Sequence, residues 1–281
     1  MTRVAVVTDS TAYLPEGIAD KYDVSVVPLH VVLGTWSGRE TVEVSPADVA
    51  AALGDRRVQV TTSRPTPGQL AHAYRATGAS SIVSVHLSAK LSGTVESALL
   101  AARHVAAQGI KVRVVDSESV AMGLGFPVIA AAEAAAGGAD PGCVEAAAVE
   151  AISATQSFFY VDTFEHLRRS GRVTATSALV GTALAVKPLL VMDHGEIVLL
   201  EKVRTFSKAQ ARLKEIVVAA AGDDAVDLAV HHLAAAARAA TLADELRACL
   251  PGLQSLYLSE VGAVVGAHVG PGLLAVAVWR R

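Results

Sequence analysis

Short apolar segments alternate with helix-like segments over the first 125 residues, and this order limits the possible folds more than any other feature. The predicted strands are Val4 to Thr8, Val24 to Leu29, Val58 to Thr61, Ser81 to Leu87 and Lys111 to Val115. Capping residues and prolines mark helix starts between them, as at Ser45-Pro46. Apolar strands joined by helical crossovers are typical of a parallel sheet. We therefore predict an α/β domain for this region.

The pattern changes after two alanine-rich helices, predicted from Gly125 to Ala136 and from Pro141 to Ala154. Asp193-His194-Gly195-Glu196 has the composition of a turn between two strands. Further strands are predicted at Asp227 to His231, Leu256, Val264 to Val269 and Leu273 to Trp279. The predicted fold class is thus an N-terminal parallel-sheet α/β domain, residues 1–156, followed by an α+β domain, residues 157–281, with a mostly antiparallel sheet.

Composition excludes several classes of protein. A hydrophobic fraction of 52% with 18% charged residues excludes disorder, and a net charge of -3 argues against general nucleic-acid binding. Cys143 and Cys249 are too few for a disulfide framework, so we expect free buried thiols in a reducing compartment. The apolar run from Phe126 to Ala136 is shorter than the ~20 residues that span a bilayer. With no signal peptide visible at the start, we expect a cytoplasmic protein without an integral membrane segment.

Clusters of small hydroxyl residues follow the predicted strands. They are Asp9-Ser10-Thr11, Thr61-Thr62-Ser63, Ser92-Gly93-Thr94 and Asp116-Ser117. Ligands of open parallel sheets bind beyond the carboxyl ends of the strands, and hydroxyls with free N–H groups at helix starts bind anions. Any one cluster is equally typical of a helix N-cap. Gly93 strengthens its cluster because glycine allows a ligand to approach the backbone closely.

Two other kinds of site use the same residues. Ser92 and His268 could form a hydrolase in which Asp9 or Asp116 orients the histidine, although Lys90 to Thr94 lacks the G-x-S-x-G elbow. A phosphometabolite-binding domain is the other alternative. The chain has no G-x-x-x-x-G-K-[ST] motif, and Gly123-Leu124-Gly125 lacks the third glycine of a dinucleotide site. His231 and His232 point to opposite faces of a strand, so no metal site is predicted.

The ordered series of motifs resembles the DegV family of bacterial fatty-acid-binding proteins from end to end. In the first half it comprises Val7-Thr8-Asp9-Ser10-Thr11-Ala12, Val27-Pro28-Leu29, Thr61 to Gly68, His86-Leu87-Ser88, Leu91-Ser92-Gly93-Thr94, Val115-Asp116-Ser117 and Met122-Gly123-Leu124-Gly125. In the second half it comprises Tyr160 to Phe164, Leu167, Ser170-Gly171-Arg172-Val173, Lys187-Pro188-Leu189-Leu190, Lys202-Val203-Arg204-Thr205 and Gly266 to Gly272.

The resemblance implies the EDD fold and a long-chain fatty acid, such as palmitate, stearate or oleate, held in a buried tunnel. It also implies a partner fatty acid kinase, which phosphorylates the acid to an acyl phosphate for phospholipid synthesis. The binding protein then has no catalytic residue, no metal and no cofactor besides the bound acid. By this resemblance the ligand-binding residues are Thr62, Ser63, Ser92, Gly93, Thr94 and His268, and Arg172 contacts the kinase. The chain departs from the family at Ser170-Gly171, where two glycines are frequent, and around Trp36.

Overall fold

The computed structural model describes residues 3–55, 57–173 and 186–281. The strands are β1 (Val4–Asp9), β2 (Ser25–Val27), β3 (His30–Leu33), β4 (Trp36–Arg39), β5 (Val60–Ser63), β6 (Ser81–His86), β7 (Lys111–Asp116), β8 (Thr155–Tyr160), β9 (Lys187–Asp193), β10 (Glu196–Val203), β11 (Val226–His232), β12 (Leu253–Glu260) and β13 (Leu274–Arg280). The helices are α1 (Ile18–Tyr22), α2 (Pro46–Gly54), α3 (Pro67–Ala76), α4 (Thr94–Ala106), α5 (Met122–Ala136), α6 (Pro141–Ser153), α7 (Glu165–Ser170), α8 (Phe206–Ala221), α9 (Ala236–Cys249) and α10 (Ala263–Val269).

A parallel sheet in the order β2-β1-β6-β7 forms the first part of the fold. Every residue of β1 is buried. Val4 and Val6 face a core that includes α5 and α6, whereas Ala5 and Val7 face a core that includes α3 and α4. Burial on both faces explains why the strand is continuously apolar and does not alternate.

The strand β5 does not join the parallel sheet, which corrects the sequence prediction for this segment. It pairs antiparallel with β3 in a three-stranded sheet of order β4-β3-β5, with Thr62 opposite Val31. Its residues alternate between half-buried and exposed, as an edge strand with one buried face does. This position matters because β5 places Thr62 and Ser63 beside the carboxyl ends of the parallel strands, although β5 itself is not part of the parallel sheet.

The six-stranded sheet of the second part of the fold has the order β10-β9-β8-β13-β11-β12. All its neighbours are antiparallel except β11 and β12, so the predicted fold class is confirmed. The predicted hairpin turn at Asp193 to Glu196 is also confirmed, because β9 and β10 flank it. Helices α8 and α9 cover one face, and α5 packs between the other face and the parallel sheet. The division into domains at residue 156, which lies within β8, stays a prediction.

The predicted strand at Val264 to Val269 is wrong, because these residues form helix α10. The segment is apolar and rich in valine, which favours a strand by local propensity. Tertiary contacts override that preference. The buried carboxylate of Glu40 accepts a hydrogen bond from the Val264 N–H at 2.7 Å, and Ala263, Val264 and Ala267 pack into the core that contains α2 and β3.

The two cysteines are free, as expected, but exposed, so the prediction that they are buried is wrong. Cys143 lies in the first turn of α6 and Cys249 is the last residue of α9. Each stands on the solvent side of its helix, whose buried residues are valine and alanines in α6 and alanines and leucines in α9. None of the helices in the described ranges combines the length and apolar composition needed to cross a bilayer.

Candidate functional site

A cavity of about 340 Å³ lies where the loops at the carboxyl ends of the parallel strands face β8 and β13. Its volume is within the range of small-molecule sites. Most of the wall is aliphatic or aromatic: Leu29, Leu87, Leu91, Val120, Phe158, Phe159, Leu167, Met192, Ile197, Val261, Val264, Val265, Val269, Leu273, Ala275, Val276 and Ala277. The cavity therefore suits a ligand with a large apolar part.

Polar groups gather at one end of this cavity. Thr62 and Ser63 come from β5, Ser92 and Gly93 from the loop after β6, and His268 from the last turn of α10. Thr62 Oγ1 lies 2.8 Å from His268 Nε2, although 206 residues separate the two positions. The structure thus brings together five of the six residues that the sequence suggested for a ligand.

Thr94, the sixth residue, lies just behind the cavity. It is fully buried at the start of α4, and its Oγ1 is 2.9 Å from Ser92 Oγ. Thr94 can therefore fix the direction of the Ser92 hydroxyl without touching a ligand through its side chain. Gly93 is the N-cap of α4, and the guanidinium of Arg64 packs against it where a larger residue would carry its Cβ.

His268 is a neutral hydrogen-bonding group. Burial, with a smaller contribution from the positive charge of Arg172, lowers the pKa of its imidazole to about 4. Its Nε2 faces Thr62, and its Nδ1 has no hydrogen-bond partner among the described residues. A neutral imidazole with one free nitrogen can donate a hydrogen bond to an anionic group.

Two arginines flank the polar end. Arg172 lines the cavity, and its guanidinium donates to the carbonyls of Leu91 and Ser170. No carboxylate within the described ranges forms an ion pair with Arg172. Arg64, which the sequence reasoning missed, pairs with Glu96 and donates to the Gly93 carbonyl at 3.0 Å. The sequence signal for it was its place directly after Ser63.

The hydrogen bonds of a Ser92–His268 hydrolase are absent from the described residues. His268 faces Thr62, and Ser92 faces Thr94. Asp116 accepts hydrogen bonds from the backbone N–H groups of Ala89 and Glu118 and forms none with His268. Ser92 and His268 therefore form hydrogen bonds to other residues and not to each other.

Asp9, the other candidate orienting carboxylate, binds a different histidine. Its Oδ2 lies 3.0 Å from His86 Nδ1, and His86 Nε2 lies 2.7 Å from Ser84 Oγ. Asp9 also accepts hydrogen bonds from Thr11 and from the Leu87 N–H at 3.0 Å. Asp9, His86 and Ser84 are all fully buried, and none of them lines the cavity. This chain of hydrogen bonds anchors the strand ends and is closed to a substrate.

Glu40 supports the site from behind and is not among the site residues that the sequence suggested. Its buried carboxylate accepts hydrogen bonds from Ser10, from the Tyr13 hydroxyl at 2.9 Å and from the first turn of α10 at Val264. Burial raises the pKa of the Glu40 carboxyl. Helix α10 carries His268, so Glu40 fixes the helix that positions the imidazole. No cluster of three or more metal-ligating side chains occurs in the part of the chain that the structure describes.

Comparison with known proteins assigns the chain, over nearly its whole length, to the family that its sequence motifs resemble. Residues 3–281 match the family model described as an uncharacterised protein, DegV family. A DegV domain-containing protein of Streptomyces coelicolor is 53% identical over 281 residues, 99% of this chain and 99% of the relative. Among solved structures, a fatty-acid-binding DegV family protein from Thermus thermophilus has a TM-score of 0.93 and 30% identity, covering 99% of this chain and 100% of that chain. DegV of Bacillus subtilis, described as a fatty acid binding protein, has a TM-score of 0.91 and 33% identity, with 100% of both chains covered.

Proposed function

The chain belongs to the DegV family, and on this basis we propose that it binds one long-chain fatty acid in the cavity. The observation that carries the proposal is the Thr62–His268 pair, which places an imidazole nitrogen without a partner at the polar end of an apolar cavity. Similar proteins from Thermus thermophilus and Bacillus subtilis are fatty-acid-binding proteins. The alkyl chain would occupy the apolar part, and the carboxylate would meet the polar end.

The apolar wall can supply the affinity. Burying a methylene group contributes about 0.8 kcal/mol, so a long acyl chain contributes roughly 10 kcal/mol before opposing terms. Association and ordering of a flexible chain remove part of this, which leaves dissociation constants around the micromolar range or tighter. Retention of the acid during purification requires the tighter end of this range, because a micromolar complex dissociates within about a second.

The polar end can satisfy the carboxylate. A buried carboxylate without hydrogen bonds is very costly, so the site must provide donors. The hydroxyls of Ser63 and Ser92 and the Nδ1–H of His268 are the donors that we assign to it. Thr62 donates its single hydroxyl proton to His268 Nε2 and so keeps the imidazole proton on Nδ1. Gly93 and Thr94 contribute the N-terminal turn of α4, where backbone N–H groups favour a negative charge.

We also propose that the protein presents the acid and does not transform it. A partner fatty acid kinase would phosphorylate the carboxylate to an acyl phosphate, and Arg172 would contact that kinase. Arg172 fits this role because it stands at the polar end with a positive charge that no described carboxylate neutralises. The cytoplasmic location and the role in phospholipid synthesis that accompany this scheme remain predictions.

Native mass spectrometry of the freshly purified protein, followed by denaturing lipid extraction, tests the proposal. We expect a bound mass that is extracted as one long-chain fatty acid per chain. A chain that carries no acid and also fails to take up added oleate or palmitate would refute fatty-acid binding. A thermal-shift screen in which sugar or nucleotide phosphates stabilise the protein, and fatty acids do not, would favour the phosphometabolite alternative.

A further inference from the structure

A serine hydroxyl without a partner lies in the wall of the cavity, away from the polar end. Ser157 of β8 stands opposite Ala277 of β13, and both residues line the cavity. Several buried side-chain polar atoms of the described residues have no hydrogen-bond partner, but only two of them belong to residues that line the cavity. One is His268 Nδ1, which we assign to the carboxylate, and the other is Ser157 Oγ.

The strand register separates Ser157 from the carboxylate site. Leu273, just before β13, belongs to one hydrophobic cluster with Val269, the residue after His268, whereas Ala277 belongs to another cluster with Met122 and Phe126. Ala277, which pairs with Ser157, lies four positions further along. At about 3.3 Å per residue this corresponds to about 13 Å along the strand. The Ser157 hydroxyl therefore faces the acyl chain of the proposed ligand and not its head group.

Helix α5 approaches this hydroxyl closely at Gly123. A Cβ on Gly123 would come within 2.5 Å of Ser157 Oγ and closer still to Ser119 Oγ, so both hydroxyls face the same spot beside Gly123. The other polar group in this wall, His231, is already satisfied. Its Nε2 accepts the Met122 N–H at 3.2 Å, and its Nδ1 lies 3.0 Å from a serine hydroxyl of β12.

An unpartnered hydroxyl in an apolar wall is unfavourable unless the ligand supplies a partner. We propose that Ser157 recognises an oxygen substituent on the acyl chain, so that the cavity prefers a hydroxylated or keto long-chain fatty acid to the plain acid of the same length. This inference rests on the proposed fatty-acid site. The oxygen substituent would exchange a hydrogen bond with Ser157 Oγ from the cavity that Ser157 lines.

Competition binding with a series of C18 acids tests this inference. Stearic acid is compared with hydroxystearic acids that carry the hydroxyl near the carboxyl end, at mid-chain or near the methyl end. We expect a mid-chain or distal hydroxyl to bind about threefold to tenfold more tightly than stearic acid, the effect of one hydrogen bond. Ser157→Ala should lower this ratio to about one or below, and Gly123→Ala should reduce it because the added methyl displaces both hydroxyls.

Ser97→Ala is the matched control. Ser97 of α4 is also buried with an unpartnered Oγ, but it does not line the cavity, so the preference for the hydroxylated acid should persist. If stearic acid binds and no hydroxystearic acid binds better, or if Ser157→Ala keeps the preference, the Ser157 inference is wrong and the fatty-acid site stands. If neither stearic nor any hydroxystearic acid binds, the proposed function itself fails.

Discussion

Thr62→Val is the sharpest test of the carboxylate site, because it removes one hydroxyl and keeps the shape of the side chain. The hydroxyl makes its hydrogen bond to His268 Nε2 at 2.8 Å, and valine is well suited to a strand. In the complex this hydroxyl donates to Nε2 and so keeps the proton on Nδ1, which we assign to the charged carboxylate; a hydrogen bond to a charged group contributes about 1.5–3 kcal/mol. A loss of about 2 kcal/mol corresponds to roughly 30-fold weaker binding of a fatty acid.

Isothermal titration calorimetry with oleic acid and with its methyl ester measures this effect. The ester lacks the negative charge, so Thr62→Val should weaken binding of the acid far more than binding of the ester. Thr61→Val is the matched control, since Thr61 is its exposed neighbour on the opposite face of β5. A change of less than about threefold for the acid, or equal losses for acid and ester, would refute the role of the Thr62–His268 pair in binding the carboxylate.

Three further predictions concern stability, pH and the partner. Asp9→Asn should destabilise the fold by about 3–5 kcal/mol in urea denaturation, because it disrupts a fully buried, multiply hydrogen-bonded carboxylate, whereas Asp140→Asn at an exposed N-cap should have little effect. Because burial lowers the pKa of His268 to about 4 in the folded protein, the unfolded chain binds a proton at this residue at a higher pH than the folded protein does. The free energy of unfolding should therefore decrease as the pH falls from about 6.5 towards 4. His268→Gln should make this decrease shallower, and an unchanged slope would contradict the prediction. Under the proposed function, Arg172→Ala should raise the KM of a partner fatty acid kinase for the loaded protein by a larger factor than it weakens fatty-acid binding, and equal factors would remove Arg172 from the proposed kinase contact.

Local sequence patterns predicted the parallel sheet well, because its central strands β1 and β6 are buried on both faces and are followed by capping residues. They failed at Val264 to Val269, where a valine-rich segment forms a helix. The decisive contact is a hydrogen bond from Val264 to Glu40, 224 positions away, and no local pattern contains it. The pairing of β5 with β3 was likewise set by tertiary packing.

The hydroxyl clusters divide into two groups that sequence alone could not separate. Those at Thr62 and Ser92 line the cavity, while Asp9 and Asp116 hold neighbouring backbone N–H groups. All four sit at strand ends before helices or turns, so they share one local signature. The six-stranded sheet closes the cavity over the clusters at Thr62 and Ser92, and this tertiary placement distinguishes a ligand site from a helix cap.

The apolar cavity lies between parts of the chain that are distant in sequence, and this has a consequence for the life of the protein in a cell. Unfilled apolar space destabilises a fold, on the order of 24 cal/mol per Å³ in engineered cavities, so an acid that occupies about 340 Å³ completes the core. Under the proposed function, loaded molecules unfold less often than empty ones. Proteases remove unfolded chains, so the steady-state amount of this protein would rise and fall with the supply of its fatty acid.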